Sequence, residues 1–305
     1  MRVSIAKTRI IGVVLLCAWL LAGCSVVRVA YNQAPTLGWW WLDGYLDFPS
    51  AQAPRAKAVV NDWFDWHRRT QLPDYAALLA AAQVQVMQPA TPEQVCRWND
   101  ELRARAAVAL AEGLQRVGPV LAALTPEQLA HLEKRYRKSN LEFQEAFMQE
   151  QPEERQKAAL KRTVDRVEML YGNIDERQRQ LLAEGIAASP FDPSQWYGER
   201  QVLQRETLQV LRQLSAPAAS RSEREAQQAR LEALSARLLR SPNAGYRAYQ
   251  QRLTDYNCTL IARFHNSTTP AQRQAARARL KGWEEDLRAL MAQPAGAAQA
   301  AERLP

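Results

Sequence analysis

Apolar residues recur at intervals of three and four along most of this chain, which is the spacing of one face of an α-helix. The longest such stripe consists of Tyr246, Tyr249, Leu253, Tyr256, Leu260 and Phe264. Charged and amide side chains occupy the opposite faces, and no stretch of β-branched residues alternates with polar ones. The pattern predicts an all-α protein, a multi-helix bundle of amphipathic helices.

Helix starts are marked by a hydroxyl or carboxylate side chain three residues before an amide or acid, which is the spacing of a capping box. The clearest are Thr91–Gln94, Thr125–Gln128 and Thr269–Gln272, and looser versions are Asp175–Gln178, Asp192–Gln195 and Ser222–Glu225. Helix stops are expected near Pro49, Pro73, Pro89, Gly118, Gly172, Pro190, Pro217 and Pro242. Together these signals predict about eight to ten helices with short links. A body of this length is large for one core, which favours two packed subbundles.

The first 23 residues have the layout of a secretory signal, with basic residues followed by a short apolar run and small residues. Leu21 to Cys24 resembles a bacterial lipobox, which implies that Cys24 is acylated after residues 1–23 are removed. By the same resemblance, Ser25 implies transport to the outer membrane, with the body facing the periplasm. Display on the cell surface stays open, and the alternative to a lipobox is an ordinary signal peptide with a chance cysteine.

The predicted organisation therefore has four parts. Residues 1–23 are the signal, 24–50 are the acylated start with an aromatic juxtamembrane segment, 51–292 are the helical body, and 293–305 are a disordered tail rich in Ala and Gln. The signal carries three basic residues and no acidic one, so its removal lowers the net charge from +8 to +5. This mild excess favours a mixed-charge surface over a polyanion-binding face, and no basic stretch indicates nucleic-acid binding.

Two cysteines, Cys96 and Cys258, remain once the signal and the acylated residue are set aside. An exported protein meets an oxidising compartment, so a disulfide is expected between them. The alternatives are two buried free thiols or a redox-active cysteine, although neither residue lies in a C-x-x-C motif.

The densest aromatic stretch lies just after the predicted anchor. Trp39, Trp40, Trp41 and Tyr45 are candidates for a membrane-interface platform, because such rings favour the head-group region of a bilayer. The alternative is that they pack into the bundle as large core residues. Three consecutive tryptophans on a helix point in different directions, so they cannot all enter one core face.

A second cluster, Asp62, Asp65, His67 and Arg68, is the candidate polar site. An Asp–His pair can perform acid–base chemistry, but residues two apart on a helix do not face each other, and salt bridges at a helix end are the alternative. His131 is expected in solvent, and His265 at a helix end, where a cation suits the helix dipole. The sequence contains no catalytic motif of a known kind, and we predict no catalytic residue, metal or cofactor.

Two resemblances to known families extend this interpretation. The segments that carry the first are Cys24–Arg28, Tyr31–Asn32, Trp39–Phe48, Trp63–Arg69, and Cys258 through His265 to Trp283. They resemble an uncharacterised family of proteobacterial helical outer-membrane lipoproteins, which implies location and architecture but no activity. Leu124–Gln128 is similar to the L-T-x-x-Q motif of Spy- and CpxP-type periplasmic chaperones, and Thr91–Gln94 and Thr269–Gln272 match it in part.

Three functions follow as hypotheses. The first is a non-enzymatic envelope lipoprotein, a helical scaffold or adaptor held to the membrane by its lipid and bound to another envelope protein. The second is a periplasmic chaperone or envelope-stress sensor, and the third is a hydrolase acting on envelope polymers. The first predicts exposed apolar grooves or patches on the body.

Overall fold

The computed structural model describes residues 26–217 and 220–293. Within these residues the chain forms eleven helices and no strand. They are α1 Val26–Leu46, α2 Ala53–Thr70, α3 Leu72–Gln85, α4 Pro92–Leu121, α5 Pro126–Phe147, α6 Pro152–Tyr171, α7 Glu176–Ala187, α8 Pro193–Leu214, α9 Arg221–Leu239, α10 Ala244–Asn266 and α11 Pro270–Ala292. The predicted all-α class is confirmed, and the predicted count of eight to ten helices is slightly too low.

One helix boundary that the sequence analysis missed lies between α5 and α6. Gln151 has φ −79° and ψ 123°, outside the helical region, and Pro152 begins α6. A residue that precedes proline is disfavoured in the α conformation, so the Gln-Pro pair was the signal for this break. At Gly118, by contrast, α4 does not stop but continues to Leu121. A Cβ atom at Gly118 would lie 2.8 Å from Leu231 Cδ1, so this glycine allows α9 to approach α4 closely.

Most of the predicted helix starts are present. Thr91, Thr125, Thr269 and Asp175 each form a complete capping box with the glutamine three residues later. Asp192 caps α8 by accepting hydrogen bonds from the backbone of Ser194 and Gln195.

The predicted start at Ser222 is wrong by two residues. The N-cap of α9 is Ser220, whose side chain accepts from the Glu223 backbone while the Glu223 side chain returns the bond. Ser220–Glu223 and Ser222–Glu225 have the same spacing, so the sequence alone offers two overlapping boxes and the chain uses the first.

The largest hydrophobic core joins the first helices to the middle of the chain. Its buried members come from α1, α2, the end of α4, α5, α8 and α9, with Phe48 and Leu124 from adjoining links. A second cluster joins α3 to α11 through Val86, Ala276 and Leu280, and a third joins α6, α7 and α10 through Val164, Leu182 and Phe264. Tyr171 packs against both smaller clusters, and α4 contacts α2, α9 and α10.

Three of the capping glutamines also bond outside their own helices. Gln128, only 4% exposed, donates to the Leu46 carbonyl at 3.0 Å, and Gln178, 2% exposed, donates to the Ser267 carbonyl at 3.1 Å. Gln272 donates to the Asn173 carbonyl at 2.9 Å. The side chain that completes a helix start therefore also holds that start against a neighbouring element.

Candidate functional site

The predicted polar cluster lies in the second half of α2, where its four residues point in different directions. Asp62 is exposed, whereas Asp65, His67 and Arg68 are half-buried. Among the hydrogen bonds and ion pairs of the described residues, none joins Asp62 or Asp65 to His67. The arrangement thus lacks the Asp–His contact that acid–base chemistry would need.

His67 instead lies in a box of aromatic rings. Its Nδ1 is 2.9 Å from the Tyr31 hydroxyl, and its ring stacks on Trp63 with centroids 4.8 Å apart. The Tyr75 ring meets it edge-on at 5.4 Å. Burial lowers the pKa of His67 and raises the pKa of Tyr31 to about 12, so at neutral pH a protonated phenol can donate to a neutral imidazole.

Arg68 and Trp63 attach α2 to its neighbours. The Arg68 guanidinium donates to Asn32 Oδ1 at 3.0 Å and lies over the Tyr31 ring, 5.3 Å from its centroid. Trp63 donates from its indole nitrogen to the Ala109 carbonyl at 3.1 Å. His67 and Arg68 of the predicted polar cluster therefore attach α2 to α1, and the neighbouring Trp63 attaches α2 to α4.

A second histidine cluster escaped the sequence analysis. His265 was expected as a cation at a helix end, but it is 5% exposed, and its pKa is lowered by burial and by the nearby Arg273. Its Nε2 lies 2.7 Å from the Gln88 carbonyl oxygen, which can only accept, so Nε2 carries the proton. Its Nδ1 then accepts from the Tyr171 hydroxyl at 2.8 Å. This cluster joins the end of α6, the end of α10 and the link that precedes α4.

No local pattern could have indicated this second cluster. Tyr171 and His265 are 94 positions apart and Gln88 and His265 are 177 apart, so the contact depends on how three elements pack. Within the described residues, no group of three or more His, Cys, Asp or Glu side chains is arranged to hold a metal ion.

Half-buried His67 and buried His265 should both make the fold sensitive to acid. Their pKa values are lowered by burial in the folded state, so below the ordinary value of 6.5 the unfolded chain takes up protons first. We therefore expect the free energy of unfolding to fall as the pH decreases from 7 towards 5. His265→Gln keeps a hydrogen-bond donor and removes one titration, so urea unfolding across this range should show a shallower pH dependence than in the parent. An unchanged dependence would contradict this account.

The four candidate interface aromatics separate into two pairs. Trp39 is 9% exposed and stacks on Phe48 with centroids 5.6 Å apart, and Tyr45 packs edge-on against Tyr136 at 6.4 Å. Trp40 and Trp41 remain 63% and 64% exposed. Packing into the bundle, one of the two alternatives, therefore describes Trp39 and Tyr45, whereas Trp40 and Trp41 stay exposed.

Cys96 and Cys258 lie at disulfide distance, with Sγ atoms 2.05 Å and Cα atoms 5.4 Å apart, and the bond joins the first turns of α4 to the middle of α10. Cys24, the predicted signal and residues 294–305 of the predicted tail lie outside the described residues.

Two open cavities lie at the surface. One, of about 680 Å³, lies between the start of α1 and α11, and Val26, Arg279 and Trp283 contribute to its lining. The other, of about 370 Å³, is lined by Met148, Arg155 and residues 191–194 at the start of α8. It borders an aromatic cluster formed by Phe143, Phe147, Phe191, Trp196 and Tyr197.

Among the described residues, no helix combines the length and the apolar character needed to cross a bilayer. No curated protein and no solved structure matches the chain. One protein family, described as "Family of unknown function (DUF6279)", matches residues 44–224, from the end of α1 to the start of α9. That match carries nothing on lipid attachment or on the chaperone motif, so both stay predictions. Because the match spans more than half of its residues, the chain belongs to the DUF6279 family of unknown function.

Proposed function

We propose that this protein is a non-enzymatic cell-envelope lipoprotein, a helical scaffold held to the outer membrane by acylated Cys24. Its body faces the periplasm and binds another envelope protein. Support for the anchor comes from the sequence: the basic start, the short apolar run and the residues from Leu21 to Cys24. We also keep the proposal of two packed subbundles, for which α4 is the shared element because it contacts helices of both the first and the third core.

The observation that carries the partner-binding proposal is the aromatic cluster beside the smaller cavity. Phe191 and Trp196 are 38% and 39% exposed, although both rings pack within this cluster. Trp196 is its centre, with ring centroids 4.9 Å from Phe143 and 5.2 Å from Phe147. Half-exposed aromatic residues next to an open cavity are typical of the anchor points of protein interfaces.

Two arginine side chains fix this region, Arg155 in the lining of the cavity and Arg162 at the aromatic cluster beside it. Arg155 donates to the Glu150 carbonyl at 3.0 Å, and Arg162 donates to the Ala146 carbonyl at 3.1 Å while lying over the Phe147 ring. A rim fixed in advance reduces the entropy lost on association. The cavity of about 370 Å³ is lined by Arg155, Asp192 and Ser194 as well as by apolar residues, so it suits a partner side chain that has both an apolar and a polar part.

The contacts of the titratable side chains also support a scaffold function rather than a hydrolase. His67, Arg68 and His265 are each engaged in contacts between helices. The L-T-x-x-Q segment is explained by the capping box of Thr125 and Gln128 without any shared function with the chaperones.

A photo-reactive benzophenone amino acid in place of Trp196 tests the partner surface in intact envelopes. We expect one discrete protein adduct on irradiation, because an aromatic analogue keeps the shape that the partner contacts. The matched control is the same substitution at Ile261, an apolar residue of α10 that is 54% exposed, where no such adduct should form. Equal labelling of the same protein from both positions, or no protein adduct at Trp196, would argue against this surface.

The anchor is tested on the same protein. Mass spectrometry of the amino-terminal peptide should show acyl chains on Cys24 and no residues before it, and the protein should fractionate with the outer membrane. An intact start with an unmodified thiol at Cys24 contradicts the anchor.

A further inference from the structure

Helix α1 presents an exposed apolar stripe from its first residue, Val26, to Trp41. Its main members are Val26, Val29, Gln33, Leu37, Trp40 and Trp41, all exposed. At 100° per residue they fall within a sector of about 120°, and the rise of 1.5 Å per residue makes the stripe roughly 23 Å long. Gln33 is its single polar member, and none carries a charge.

The opposite side of α1 fixes this helix to the body, so the stripe is held at a defined orientation. Tyr31 bonds His67, Asn32 accepts from Arg68, and Trp39 stacks on Phe48. The charged residues of α1 also face the body: Arg28 pairs with Asp286 of α11 at 3.1 Å, and Asp43 accepts from the Phe48 backbone at 3.1 Å. Large apolar side chains on a helix fixed in this way are unusual unless another surface covers them.

The position of the stripe along the chain indicates what covers it. Val26 is its first residue and lies two positions after Cys24, so at most about 7 Å of extended chain separates the two. If acyl chains on Cys24 enter the membrane, the start of the stripe must lie at the membrane surface. The tether then keeps a bilayer at a high effective concentration beside the stripe, which neither a second copy nor a soluble partner has.

The residues around the stripe suit a phospholipid surface. Trp40 and Trp41 stand at the end far from the anchor, and their rings favour the head-group region. Arg28 and Arg279 line the cavity beside Val26 together with Glu285 and Asp286, and exposed Lys134 and Lys138 lie on α5, which contacts α1. Basic side chains flanking an apolar helix face attract anionic lipid head groups.

We propose that the outer face of α1 lies in the head-group region of the phospholipid bilayer, so that the body rests along the membrane. This inference deepens the proposed function and rests on its lipid anchor. It assigns the four candidate aromatics different roles, with Trp40 and Trp41 meeting lipid while Trp39 and Tyr45 hold the helix to the bundle.

The test places the benzophenone amino acid at Leu37 or at Trp40 of the full chain in native envelopes. We expect phospholipid adducts at both positions by mass spectrometry, and none at Ile261, which is 54% exposed against 52% for Leu37. An adduct with another protein, an adduct between two copies, or no adduct at Leu37 and Trp40 overturns the proposal.

A second variant distinguishes insertion of the stripe into the head-group region from mere closeness of Leu37 to the bilayer. The double change Val29→Glu and Trp40→Glu puts charges on the stripe at positions that are 51% and 63% exposed, so the thermal unfolding midpoint should be unchanged. The lipid adduct at Leu37 should fall at least tenfold, and an undiminished adduct overturns the proposal.

The modification state of Cys24, read from the same samples, distinguishes the two proposals. If Cys24 is acylated but the stripe forms no lipid adducts, the proposed anchor stands and the proposed contact between α1 and the bilayer is overturned. If the stripe forms lipid adducts but Cys24 is unmodified, the proposed contact between α1 and the bilayer stands and the proposed anchor is overturned.

Discussion

Removing the bridge between Cys96 and Cys258 is expected to lower the free energy of unfolding by about 5 kcal/mol. The bridge joins two residues that are separated by 162 positions in the sequence. In the chain-entropy model, closing a loop of that length lowers the entropy of the unfolded chain and so destabilises the unfolded state by about 5 kcal/mol. Cys258 is 3% exposed, so the double change Cys96→Ser and Cys258→Ser also buries a hydroxyl in place of sulfur. The loss of the bridge and the buried hydroxyl both lower the free energy of unfolding.

Urea unfolding of the double variant, compared with the parent in oxidised and reduced form, measures this loss. The reduced parent is the matched control, because it breaks the bridge without changing a side chain. Reduced parent and double variant should agree within about 1 kcal/mol, the cost of the buried hydroxyl. A difference of less than 1 kcal/mol between oxidised and reduced parent would show that the bridge contributes little.

His265→Ala is expected to lower the free energy of unfolding by about 3 kcal/mol, the second largest effect. The change removes a side chain that is 5% exposed and leaves both the Tyr171 hydroxyl and the Gln88 carbonyl without this partner. Losing the partner of a buried polar group costs about 1–3 kcal/mol, and the cavity left by the ring adds to it.

Tyr171→Phe serves as the matched comparison, because it removes only one hydroxyl and should cost about 1 kcal/mol. In the double variant the two losses should not add, since both single changes remove the same hydrogen bond. Urea unfolding of the four proteins measures this coupling. Strict additivity would mean that the Tyr171–His265 contact contributes nothing of its own.

Two kinds of feature were predictable from the sequence. The first depends on residues that are close together along the chain, and the second is the pairing of the two cysteines outside the predicted signal and lipobox. Capping boxes such as Thr91–Gln94 are local, so four residues suffice to recognise them. The Cys96–Cys258 pair followed from counting the cysteines outside the predicted signal and lipobox, which leaves a single possible bridge. The boundary before Pro152 is also local, because the Gln-Pro pair marks it.

The surroundings of the candidate side chains could not be predicted in the same way. Trp39 and Trp40 are adjacent, yet one is 9% and the other 63% exposed, because α2 and α5 cover only one side of α1. Likewise His265 has the local sequence of a solvated helix end, and it becomes a buried neutral side chain only because Tyr171 and the link with Gln88 meet it. Such differences arise from tertiary packing, which local periodicity does not encode.

The glutamines that cap three helices have a consequence for how this protein loses its structure. Gln128 closes the box that starts α5 and also bonds the last residue of α1, so fraying of that helix start and separation of the two helices cannot occur independently. Gln178 and Gln272 likewise connect the starts of α7 and α11 through a shared hydrogen bond of 2.8 Å. Helix ends are ordinarily the first places to exchange amide protons. Here the capped backbone amides of Gln128, Gln178 and Gln272 should exchange as slowly as the interfaces to which they belong, and each helix start should open only together with its neighbour.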